Sequence, residues 1–107
     1  MIFLLTEAEA EISGAPDLHI KSGSSLRVVC SLRQSTETPS YVFWYHDNRM
    51  INFESDRVFV TSDKAGSVLH ISEAEKTDSG NYSCVPSNAK PASVNVHVLN
   101  GKNFQNE

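Results

Sequence analysis

The run Asp78-Ser79-Gly80-Asn81-Tyr82-Ser83-Cys84 narrows the folds open to this chain more than any other feature. Tyr82 stands two residues before Cys84, Cys30 lies 54 positions upstream of Cys84, and Trp44 follows Cys30 by 14. Two cysteines have two ordinary fates: a disulfide in an oxidising compartment, or two buried thiols in a reducing one.

Around these residues the chain reads as short strands. Leu26, Val28, Cys30 and Leu32 alternate with Ser25, Arg27, Val29 and Ser31, the period of a half-buried strand. Tyr41-Val42-Phe43-Trp44-Tyr45-His46 is aromatic and β-prone. Met50-Ile51-Asn52-Phe53 and Arg57-Val58-Phe59-Val60 read as two shorter strands. After the turn Asp63-Lys64-Ala65-Gly66 come Val68 to Ile71, Asn81 to Val85 and Ser93 to Leu99, the last with Val94, Val96 and Val98 on one face. Seven or more strands separated by turns about every 8 to 12 residues make a sandwich or a barrel. With 107 residues and no internal repeat, one domain is expected. The expected organisation is a linker or the end of a preceding domain over residues 1–14, where Glu7, Glu9 and Glu11 alternating with Ala8, Ala10 and Ile12 suit an extended linker or an entering strand, then one β domain over 15–99 and a polar tail over 100–107.

From Ala15 to Leu99 the sequence resembles the immunoglobulin superfamily, by its Cys30, Trp44, Tyr82 and Cys84 in that order. The resemblance implies an all-β, immunoglobulin-like antiparallel sandwich of two sheets, tied by an inter-sheet disulfide between Cys30 and Cys84, with Trp44 packed beside the sulfurs. It also implies a tyrosine corner at Tyr82, an ion pair of Asp78 with Arg57, and inward positions for Leu69, Ile71 and Ala74. These are structural roles, and the disulfide implies an extracellular setting.

Four segments carry a closer resemblance: Ala10 to Leu18, Phe43 to His46, Tyr82 to Ala89 and Ala92 to Gly101. They are similar to the second immunoglobulin domain of the insect Dpr (defective proboscis extension response) family, neuronal surface receptors with two such domains. That resemblance implies a module of a cell-surface adhesion receptor acting in synaptic partner recognition and synapse organisation. In that family the first domain binds the Dpr-interacting proteins. Here Ile2 to Glu9 would be at most the end of such a domain, so binding of other immunoglobulin-superfamily receptors would pass through a domain this chain lacks. The alternatives are a structural spacer, or a secreted short form with no partner of its own.

Charge and motif exclude other classes. Nine Lys and Arg against 13 Asp and Glu give a net charge of −4, and the basic residues are scattered, so nucleic acid and anionic membrane are not expected partners. Ile2-Phe3-Leu4-Leu5 is too short for a signal-peptide core or a membrane span, so no signal peptide, anchor or direct membrane insertion is expected in this chain. His19, His46, His70 and His97 lack ligand spacing, and no metal or cofactor is expected. Ser79 and Asp78 with a histidine make a triad only on paper, because no nucleophile elbow or phosphate loop accompanies them. An enzyme is not expected.

Two features bear on recognition. If Trp44 points inward, Tyr41, Phe43 and Tyr45 point outward; they are either an open interaction face or are covered by Val85 and the strand from Met50 to Phe53. An open face would favour recognition over the spacer. Asn81-Tyr82-Ser83 is the one Asn-x-Ser/Thr sequence in the chain, a candidate glycosylation site on the same outward face.

Overall fold

A computed structural model describes residues 8–33, 37–51, 55, 57–63 and 65–100. Among these residues nine strands run in chain order as β1 Glu9–Ile12, β2 Asp17–Lys21, β3 Leu26–Arg33, β4 Val42–His46, β5 Arg49–Met50, β6 Val58–Asp63, β7 Gly66–Ile71, β8 Gly80–Pro86 and β9 Ala92–Leu99. They form two sheets, ordered β1-β3-β7-β6 and β2-β9-β8-β4-β5. All pairs are antiparallel except β2 with β9, which run parallel from Asp17↔Asn95 to Lys21↔Leu99. This is the all-β immunoglobulin-like sandwich of two sheets.

Period-two alternation decides which side chains lie between the sheets. Val28 and Cys30 from β3, Leu69 and Ile71 from β7, Trp44 from β4, Tyr82 and Cys84 from β8, and Val94, Val96 and Val98 from β9 are all buried. Two covalent or polar links cross this core side by side. Cys30 on β3 is disulfide-bonded to Cys84 on β8. The indole of Trp44 on β4 donates from Nε1 to Ser67 Oγ on β7 at 2.9 Å, and Ser67 is only 1% exposed. Ser67 in turn donates to Thr61 C=O and accepts from Ser62 Oγ, so the polar atoms brought into the core are satisfied.

At the amino-terminal end, of the linker and the entering strand that the alternating Glu and Ala suit, residues 9–12 form the strand: they pair with β3 from Glu9↔Arg33 to Ile12↔Cys30, and Ala10 and Ile12 are buried. Asp17–Lys21, not foreseen as a strand, forms the edge beside β9 with Leu18 and Ile20 packed on the core. Of the strand expected over Met50 to Phe53, Met50 lies in β5, Ile51 follows it outside any strand, and Asn52 and Phe53 lie outside the described residues. Residues 1–7 and 101–107 also lie outside them.

A two-residue turn joins β4 to β5. Asp47 and Asn48 both have positive φ, 51° and 70°, which suits short polar side chains and matches the twist of the flanking strands. Asp47 also locks the hairpin to β8: its N–H donates to Asn81 C=O at 2.8 Å, and its Oδ1 accepts the Asn81 N–H at 2.9 Å.

Candidate functional site

Three large apolar side chains stand open to solvent among the described residues, Tyr41 at 48%, Phe43 at 37% and Met50 at 39%. They share the outer face of the five-stranded sheet. Trp44 turns inward, so its neighbours Phe43 and Tyr45 turn outward, and Met50 lies directly across from Tyr45. Tyr41 stacks on Phe43 with ring centroids 4.2 Å apart and planes 21° from parallel. Val85 is the cross-strand partner of Phe43 and does not cover it. Tyr45 is half-buried between Met50 and Ser83. The face is therefore open at Tyr41 and Phe43 and partly filled at Tyr45. Met50, at the start of the strand that could have covered this face, is itself exposed, because its exposure depends on how the β4–β5 hairpin folds back.

The same face becomes polar toward its other edge. Ser83 and Asn81 on β8 lead to Ser93, Asn95 and His97 on β9 and then to Asp17 and His19 on β2. Asn81 Nδ2 donates to Asn95 Oδ1 at 3.1 Å. His97 lies 2.9 Å from Asp17 Oδ1 and stacks on His19 at 4.5 Å between centroids. Two of the four histidines are thus brought together, but no group of three or more His, Cys, Asp or Glu able to hold a metal ion occurs among the described residues.

The residues placed at the corner are engaged in structure. Tyr82 donates its hydroxyl to Asp78 C=O, stacks on His46 at 4.3 Å, and burial pushes its phenol above the usual tyrosine range. Arg57 grips Asp78 with two bonds, 2.8 and 3.2 Å, and its NH1 also donates to Ser72 C=O at 3.2 Å. Burial alone would raise the Asp78 carboxyl, but the Arg57 guanidinium and the Glu75 N–H, 2.7 Å away, hold it below the ordinary carboxylate value. The bond to Asp78 raises Arg57 correspondingly. Ser79 Oγ accepts the Val98 N–H at 2.9 Å, while His46 Nε2 donates to Ser79 C=O. Serine, aspartate and histidine are each committed to backbone or to Arg57, and do not form a nucleophilic relay.

The lowered Asp78 carboxyl makes a pH-dependent contribution with a definite sign. A carboxylate whose folded pKa is depressed stabilises the fold above its unfolded value, near 3.8, and loses that contribution as pH falls through the folded value. Asp78→Asn should cost about 1 to 3 kcal/mol at neutral pH, between the values for exposed and buried pairs. The gap between wild type and variant should close below about pH 4, as urea unfolding across pH would measure. A gap independent of pH would show that Asp78 acts through shape and not charge.

Comparison with known proteins agrees with this architecture. Residues 11–88 match the immunoglobulin domain family. Human hemicentin-1 is 32% identical over 87 residues, which is 81% of this chain and 1% of hemicentin-1. Human transmembrane and immunoglobulin domain-containing protein 1 is 26% identical over 89 residues, 82% of this chain and 33% of that protein. The chain thus spans a third or less of these curated relatives. Among solved structures, Dpr2 Ig1-Ig2, crystallised in complex with DIP-Theta Ig1-Ig3, aligns with a TM-score of 0.78 and 31% identity over 92% of this chain and 52% of that chain. Titin M4, at 24% identity and a TM-score of 0.68, shares the fold. With its two-sheet topology, inter-sheet disulfide and tyrosine corner, this chain belongs to the immunoglobulin domain family.

Proposed function

We propose that this domain is an extracellular module of a Dpr-like neuronal cell-surface receptor, and that it contributes to partner recognition through the outer face carrying Tyr41, Phe43, Tyr45 and Met50. The observation that carries the reading is the exposed Tyr41–Phe43 stack. Two aromatic rings held face to face in solvent, one on a central strand and the other beside it, offer the low-entropy anchor that protein interfaces favour. The likeness to Dpr2, solved as a complex with another immunoglobulin-domain protein, supports a partner of the same class. The Cys30–Cys84 bond supports an oxidising, extracellular setting. No helix among the described residues is long and apolar enough to cross a membrane.

Surface plasmon resonance of the secreted domain against a panel of immunoglobulin-superfamily ectodomains, Dpr-interacting proteins among them, tests this reading. Saturable binding is expected, weakened at least about tenfold by Phe43→Ala, since truncating a central anchor costs more than about 1.4 kcal/mol. Absence of binding across the panel, or binding untouched by Phe43→Ala and Tyr41→Ala, would leave the domain a spacer that holds a neighbouring binding domain in place.

A further inference from the structure

Asn81 combines an acceptor sequence with a geometry that suits a covalent sugar. It lies on β8 facing away from the core, because its neighbours Tyr82 and Gly80 alternate with it and Tyr82 is buried. The side chains nearest it on that face, Asn95 opposite and Ser83 two positions along, are polar, so no apolar contact has to be given up. Of its two Nδ2 hydrogens, one is taken up by Asn95 Oδ1 at 3.1 Å. Ser83 Oγ donates to Asn81 Oδ1 at 3.2 Å, joining the two polar members of the Asn-x-Ser sequence on one side of the strand.

We propose that Asn81 carries an N-linked oligosaccharide, donated by a lipid-pyrophosphate-linked sugar during passage through the secretory pathway. In the transfer, Nδ2 forms a bond to the anomeric carbon and the bond from that carbon to the pyrophosphate oxygen breaks. The pyrophosphate leaves with the electron pair, and one Nδ2 proton passes to a base. Nδ2 retains one hydrogen, so the amide keeps a donor for Asn95. The transfer precedes folding. In the finished domain Asn81 is held on both sides, by Asp47 and by β9, and its backbone cannot bend into an enzyme's site.

The position of the sugar sorts the outer face into two ends. Asn81 lies four residues from Val85, the partner of Phe43, which is roughly 14 Å along the strand at about 3.4 Å per residue. Tyr41 is further still. The attachment point therefore lies at the Asn95 end of the sheet, two residues along β8 from Ser83, the partner of Tyr45, and further from the Tyr41–Phe43 stack.

The test is peptide mass spectrometry on the chain produced through the secretory pathway of cultured animal cells. After reduction of the disulfide, tryptic cleavage after Lys76 and Lys102 isolates the peptide Thr77 to Lys102, which contains Asn81 and Ser83, since the Lys90–Pro91 bond resists trypsin. Treatment with peptide N-glycosidase in heavy-oxygen water should convert Asn81 to an aspartate carrying the label. Ser83→Ala should abolish the conversion while the disulfide still forms. Recovery of the wild-type peptide with Asn81 wholly unmodified before treatment would overturn the proposal, as would a sugar that persists in Ser83→Ala. The wild-type measurement stands by itself if that variant fails to fold.

Discussion

Cys84→Ser is expected to reduce stability by about 2 to 5 kcal/mol, enough to bring a domain of this size to the edge of unfolding at physiological temperature. The bond joins residues 54 apart in sequence, so on chain-entropy grounds its loss frees the unfolded state by roughly 4 kcal/mol. The folded state suffers as well, because Cys30 and Cys84 are 1% and 0% exposed and pack with Trp44 in the centre of the core. Urea unfolding of oxidised wild type against the variant measures the difference, with thiol labelling under native and denaturing conditions to confirm the redox state. A change under about 1 kcal/mol would mean that the Trp44–Ser67 bond and the apolar core hold the sheets together without the disulfide.

Gly66→Ala should be comparably damaging, although the substitution adds one methyl group. Gly66 opens β7 at φ 155°, and a Cβ built there would lie 2.0 Å from the carbonyl oxygen of Cys30. That oxygen belongs to the backbone of β3 and has no rotamer by which to move aside. The alanine would have to separate β3 from β7 at the rung Ser31↔Gly66, next to the disulfide. Backbone strain of about 1 to 3 kcal/mol and overpacking of about 1 to 3 kcal/mol then act together. Gly23→Ala is the control. Gly23 also has positive φ, 89°, but a Cβ there meets nothing within 4 Å, so only about 1 kcal/mol of conformational cost is expected. Equal losses in melting experiments on the two variants would show that conformation, and not the contact with Cys30, makes Gly66 necessary.

The aromatic face illustrates how far a pattern along one strand reaches. Alternation through Phe43, Trp44 and Tyr45 is enough to say that the first and third share a side, because the backbone of a strand has a fixed period of two. It does not say what lies opposite. Phe43 is open because its partner on β8 is Val85, too short to cover it, whereas Tyr45 is half-buried between Met50 and Ser83. These neighbours come from strands far apart in the chain, and their register is a property of the assembled sheet.

The same division runs through the whole molecule. The spacing of Cys30, Trp44, Tyr82 and Cys84 and the alternation in each long strand determined the fold class, the disulfide and most of the core, since burial of every second side chain follows from local geometry. The pairing of β1 with β3, the parallel docking of β2 on β9, the acceptance of the Trp44 indole by Ser67, and the contact that restricts position 66 were decided by the tertiary structure. Each joins segments that carry no mark of one another in sequence. β2 has the right alternation in Leu18 and Ile20 but is short and lies at an edge, where a few residues gain their stability from the neighbouring strand and little from their own propensity.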